Sequence, residues 1–126
     1  MENFDGKIAV ITGGGTGMGR ELTYQLAAEG CHVSICDVIE ENMEETFQEA
    51  TKKYPHVKIT KHLCDVSSEE DVLRFRDEVL EQQKTEHINL LFNNAGIGGG
   101  ASFVLSGIEE WERTFKICWD GVYLCS

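Results

Sequence analysis

Lys7-Ile8-Ala9-Val10-Ile11-Thr12-Gly13-Gly14-Gly15-Thr16-Gly17-Met18-Gly19-Arg20-Glu21-Leu22 reads as a short buried strand that breaks into glycines and restarts as a helix. A backbone that holds a pyrophosphate needs that order. The strand delivers the chain to one point. Glycines remove the Cβ atoms that would keep a phosphate away and permit positive φ in the turn. The helix then aims unpaired N–H groups and the positive end of its dipole at the anion. The stretch predicts a dinucleotide site near the N-terminus.

Outward from that turn, strand and helix patterns alternate four times. Strand one is read over 7–12 and helix one over 17–29, with Met18, Leu22 and Leu26 on one stripe and Gly30 as its C′ residue. Strand two follows over 31–37. Helix two carries Ile39, Met43, Phe47, Ala50 and Tyr54 on one face and ends at Pro55, with its glutamates as a solvated face. Strand three is read over 57–64. Ser67 with Glu70 makes a capping box for helix three, which buries Val72, Phe75 and Val79. Strand four, 88–92, is nearly all apolar, as expected of a strand covered on both faces. After a glycine-rich loop (96–100), a last helix starts near Ile108, with Trp111, Phe115, Cys118 and Val122 on one face. Such alternation predicts an α/β fold, a doubly wound parallel sheet of Rossmann type with strand order 3-2-1-4. The ligand would lie at the switch between strands one and four. The expected organisation is one domain, 1–126, incomplete on its C-terminal side and stopping after the helix that follows strand four.

The net charge of −11 argues against nucleic acid or an anionic membrane as partner, since both need a basic face. It does not oppose a dinucleotide, which a helix N-terminus binds locally. No apolar stretch is long enough to span a bilayer, and no basic leader precedes an apolar run. Cys31, Cys36, Cys64, Cys118 and Cys125 are odd in number and lack Cys-x-x-Cys spacing, so reduced thiols in the cytoplasm are expected. His62 and Cys64 could share a strand face, but two ligands make no zinc site, and no metal is expected.

Spacing decides among glycine turns. A P-loop needs Lys and Ser/Thr where Arg20 and Glu21 stand. Gly-x-Gly-x-x-Gly would need a glycine at Met18. Gly13-x-Gly15-x-Gly17 matches the turn of many S-adenosylmethionine-dependent methyltransferases, but Thr12 replaces the acidic residue usual before that turn. Thr-Gly-x-x-x-Gly-x-Gly is met by Thr12, Gly13, Gly17 and Gly19. Asp37 closes strand two about 20 residues after the turn, where a carboxylate accepts both ribose hydroxyls of NAD and repels a 2′-phosphate. Val38 follows it, and no cation stands at Gly14 or Gly15, so NAD is expected over NADP. Asp37 also suits the N-cap of helix two.

The Thr-Gly-x-x-x-Gly-x-Gly turn is joined by Asn93-Asn94-Ala95-Gly96 after strand four and Cys64-Asp65-Val66 after strand three. Trp111-Glu112-Arg113 and Gly121-Val122 follow on the last helix. With these motifs the chain resembles the short-chain dehydrogenase/reductase family over essentially its whole length. The resemblance implies hydride transfer between a nicotinamide and a small alcohol or carbonyl substrate. It implies cofactor contacts at Thr12, Gly13, Gly15, Thr16, Gly17, Met18, Gly19, Asp37 and Val38. It also places Asp65 and Val66 by the adenine, has Asn94 tie strand four to the turn, and brings the Ala95-Gly96 backbone to the cofactor. Gly98, Gly99 and Gly100 read as a loop.

The family's acid/base is a Tyr-x-x-x-Lys pair on a later helix, with a Ser after strand five and a relay Asn on the helix after strand four. Tyr54-Pro55-His56-Val57-Lys58 matches literally, but it precedes strand three and Pro55 breaks the helix. The relay position falls at Cys118, whose thiol cannot replace an amide's donor and acceptor. The expectation is a cofactor-binding fragment, a truncated gene model or a short isoform, without catalytic residues of its own and marginally stable or aggregation-prone alone. A homo-oligomer is expected only of a complete chain. The alternatives are a non-catalytic nucleotide-binding or interaction module and, third, a methyltransferase.

Overall fold

The computed structural model describes residues 2–97 and 107–126. Their elements run β1 (Ile8–Thr12), α1 (Gly17–Ala28), β2 (His32–Asp37), α2 (Glu40–Lys53), β3 (Ile59–Leu63), α3 (Glu69–Gln83) and β4 (Leu90–Phe92). Then come α4 (Ile108–Phe115), a π-helical turn (Lys116–Asp120) and α5 (Gly121–Cys125). The four strands are parallel in the order β3-β2-β1-β4, as expected.

Strand alternation divides the core in two. Ala9, Ile11, Val33 and Ile35 point to one face, where Leu26 and Ala27 of α1 and Met43 and Ala50 of α2 cover them. Val10 and Cys36 point to the other, against Val72, Phe75 and Val79 of α3. A polar ladder crosses that second face. Gln83 donates to Ser34 Oγ (3.0 Å), Ser34 meets Thr60 (2.6 Å), and His62 joins Thr60 (2.8 Å) to Glu78 (3.0 Å). His62 and Cys64 do share a buried face, but among the described residues no group of three or more ligands could hold a metal.

Several expectations need correction. Met18 is 81% exposed, because the first turn of α1 projects past the strand ends; its buried face is Gly19, Thr23, Leu26 and Ala27. Ile39 is likewise exposed and is itself the N-cap of α2. Asp37 lies too early to cap α2 and instead accepts the Val38 and Ile39 amides in a local turn. Ser68, not Ser67, caps α3, its Oγ accepting the Asp71 N–H. Ser67 is taken by Asp65, which accepts both its amide and its hydroxyl.

β4 has three residues rather than five, and Leu91 stays partly exposed, lining an open cleft of about 270 Å³ with Val72, Phe75 and Val79 of α3 and Cys125 of α5. The last helix is not one amphipathic rod. The π turn interrupts it, α4 buries no residue, and Trp111, Phe115 and Trp119 stack on one another in the open. Gly98–Gly100 lie outside the described residues.

Candidate functional site

Parallel strands deliver their C-terminal ends to one rim, so Thr12, Asp37 and Asn94 meet there from β1, β2 and the segment after β4. The glycine turn is shaped for close backbone approach. Gly13 and Gly17 take φ of +69° and +57°. A Cβ at Gly13 would stand 3.0 Å from Ala95 Cα, so these two main chains touch. A Cβ at Gly14 would enter Ile35 (2.6 Å), one at Gly15 would strike Asp37 Oδ2 (2.6 Å), and one at Gly19 would collide with the Gly13 carbonyl oxygen.

Thr16 is the N-cap of α1 and makes no side-chain capping bond. The amides of Gly17, Met18 and Gly19 open the helix, where no intrahelical acceptor exists. No acidic residue lies in that first turn. Thr16, Gly17 and Met18 are exposed. A helix mouth with uncapped amides and no competing carboxylate fits a diphosphate.

One hydroxyl latches β4 to this turn. Thr12 Oγ1 accepts the amides of Asn94 (3.0 Å) and Ala95 (2.9 Å) and donates to Phe92 O (3.5 Å). The Asn94 side chain donates back to the carbonyls of Thr12 (3.1 Å) and Gly13 (3.2 Å). Neither Asn93 nor Asn94 takes a left-handed backbone, so their presence is not explained by turn geometry alone.

Asp37 is half-buried at the end of β2. Its Oδ2 accepts the Gly15 amide (2.9 Å), and its Oδ1 accepts those of Val38 (2.8 Å) and Ile39 (3.2 Å). Three main-chain donors fix the carboxylate, and its remaining lone pairs are free to accept further donors. Val38, next to it, is exposed. Asp65 is exposed after β3, beside a cleft of about 300 Å³. Val66 is buried, with α5 so close that a Cβ on Gly121 would lie 2.7 Å from Val66 Cγ2. Gly96 is exposed, and Cys118 of the π turn donates its thiol to the Ile97 carbonyl (3.6 Å).

Sequence reasoning missed Arg20, which it used only to reject a P-loop. Its guanidinium lies under the turn, donating to Gly15 O, Thr46 Oγ1 and Asn42 O. Bonds to main-chain carbonyls leave no mark in residue spacing. Tyr54 is the C-cap of α2 and Lys58 lies past a turn, so that pair shares no helix. The five cysteines are free thiols. Burial pushes the Cys31 and Cys125 thiols up to about 11, which makes them poor nucleophiles at neutral pH.

A match to the short chain dehydrogenase family covers residues 7–126. Meso-2,3-butanediol dehydrogenase of Serratia marcescens is 34% identical over 123 residues, covering 98% of this chain and 47% of that one. Epidermal retinol dehydrogenase 2 of Homo sapiens is 34% identical over 116 residues, covering 92% and 37%. The crystal structure of levodione reductase superposes with a TM-score of 0.90 at 32% identity, over 97% of this chain and 47% of that one. A short-chain dehydrogenase/reductase from Burkholderia phymatum in complex with NAD gives 0.90 at 33% identity, over 99% and 43%. The chain thus spans half or less of the length of these relatives.

Proposed function

We propose that this chain, which belongs to the short-chain dehydrogenase family, holds NAD across the ends of β1, β2 and β4. There it serves hydride transfer between the nicotinamide and an alcohol or carbonyl group. The observation that carries this reading is the anchored Asp37 carboxylate, set against the Gly15 amide at the edge of the glycine turn. A ribose diol can donate to it, whereas a 2′-phosphate would meet its negative charge. Arg20 cannot offset that charge, because its guanidinium is committed to Gly15 O, Asn42 O and Thr46.

The remaining roles follow from position. The amides of Thr16, Gly17, Met18 and Gly19 hold the diphosphate, and Gly13 lets it approach. Asp65, Val66 and Val38 flank the adenine. Thr12 and Asn94 keep the Ala95-Gly96 main chain against Gly13. The bound nicotinamide supplies or takes the hydride. Relatives named for 2,3-butanediol, retinol and levodione support an alcohol or carbonyl as the substrate class. The free thiols suit a reducing compartment such as the cytoplasm.

Within residues 1–126 we assign one cofactor-binding domain and no acid/base group. Tyr54 and Lys58 are out of place, and Cys118 offers a weak donor where the family's relay asparagine is expected. That substitution also favours the second reading, a nucleotide-binding module without chemistry. Calorimetric titration with NADH, NADPH and S-adenosylmethionine tests the assignment. NADH is expected to bind tightest; tighter binding of NADPH or of S-adenosylmethionine overturns it. Turnover assays on this chain and on any longer product of the same gene separate the two readings. Hydride transfer by the 126-residue chain alone would refute the absence of an acid/base group.

A further inference from the structure

We propose that Arg20 is a positioning residue for the cofactor's adenosine ribose, acting through the main chain of Gly15. This rests on Asp37 being the ribose ligand. Arg20 reaches the Gly15 carbonyl with two N–H groups, Nε at 3.0 Å and Nη2 at 2.6 Å. The same fork binds Thr46 Oγ1 (2.9 Å), Asn42 O (3.1 Å) and Glu45 Oε2 (3.3 Å). Thr46 adds a third donor to Gly15 O, at 3.2 Å. The other end of Gly15, its amide, is the donor to Asp37 Oδ2.

Gly15 is therefore held at both polar ends, the amide by the ribose carboxylate and the carbonyl by Arg20. It needs to be. A glycine has the widest backbone freedom of any residue, and a Cβ here is forbidden by Asp37 itself. The site gives up the side chain that would fix the turn, and Arg20 fixes it from below. The planar guanidinium suits this task, because one rigid fork serves several acceptors at once; an ammonium has no such fork. With Arg20 removed, the carbonyl keeps only the Thr46 hydroxyl. The peptide can then turn, the Gly15 amide leaves Asp37, and the carboxylate gains freedom to swing from an incoming phosphate. NAD affinity falls while the penalty on NADP relaxes.

The test compares NADH and NADPH dissociation constants for wild type, Arg20→Ala, Arg20→Lys and Glu45→Gln, with a thermal melt of each. Arg20→Ala is expected to weaken NADH about tenfold and to narrow the NADPH-to-NADH ratio by a similar factor. Arg20→Lys keeps the charge and covers the case in which the alanine variant does not fold; it should fall between. Glu45→Gln leaves the grip on Gly15 O and should keep the wild-type ratio. Equal weakening of NADH and NADPH in the Arg20 variants, or a lower Tm with an unchanged ratio, assigns Arg20 to stability alone and overturns the proposal. A Glu45→Gln ratio as narrow as that of Arg20→Ala does the same. A wild type that does not prefer NADH refutes instead the role given to Asp37.

Discussion

Replacing Thr12 with valine isolates one oxygen atom. Thr12 is 2% exposed, and valine fills nearly the same volume, so no cavity opens. What disappears is the hydroxyl that accepts the Asn94 and Ala95 amides at 3.0 and 2.9 Å. A buried donor left unpaired costs roughly 1–3 kcal/mol. Asn94 and Ala95 are only half-buried, so water recovers part of that loss and the low end applies to each. The Asn94 amide keeps Phe92 O as a second acceptor at 2.9 Å, so the Ala95 amide alone is orphaned and the destabilisation is about 1–2 kcal/mol. With a urea slope of about 2 kcal/mol per molar, the unfolding midpoint should drop by about 0.5–1 M. Thr12→Ser keeps the oxygen and loses only a methyl, worth about 0.8 kcal/mol. Urea melts of the three proteins followed by far-UV circular dichroism decide the matter. A valine variant that melts with wild type, or a serine variant that falls further than valine, would refute the latch.

Asp37→Asn removes the charge while keeping an acceptor, and should narrow the NADPH-to-NADH ratio of dissociation constants by about tenfold or more; an unchanged ratio in fluorescence titrations would clear Asp37 of any part in selectivity. Gly19→Ala forces a methyl into the Gly13 carbonyl and should cost about 1–3 kcal/mol in a urea melt, with loss of NADH binding; wild-type affinity would show that the turn yields freely. Burial lowers the His62 pKa from its ordinary 6.5, against the raising effect of its Glu78 partner. The unfolded chain therefore takes up a proton at a pH where the fold does not, and stability falls as pH drops through about 6.5. Melts between about pH 7.5 and pH 5.5 should show this decline in wild type and less of it in His62→Gln; parallel curves would place the titration elsewhere.

The strand order and the rim that gathers Thr12, Asp37 and Asn94 were legible because glycine turns and apolar strands are local signals. One-residue choices were not. The Ser-x-x-Glu spacing favours Ser67 as the cap, but Ser67 is taken by Asp65 and Ser68 caps the helix instead. Met18 fits a helical stripe by spacing, but spacing does not say where the core ends. The π turn at Lys116–Asp120 inserts a residue into the helical period, so a face drawn through Trp111, Phe115, Cys118 and Val122 is broken at its middle. Arg20 and Thr46 are 26 positions apart and meet at a main-chain carbonyl, which no side-chain pattern encodes.

The shortness of β4 has a thermodynamic consequence. Three residues of ladder hold little by themselves, so the grip of Thr12 and Asn94 carries much of the attachment of the 93–97 segment. That grip is made by the residues that open the phosphate-binding turn, which ties fraying at the sheet margin to occupancy of the turn. Saturating dinucleotide should therefore slow deuterium uptake at the Asn94 and Ala95 amides, atoms that bond to Thr12 and to no ligand.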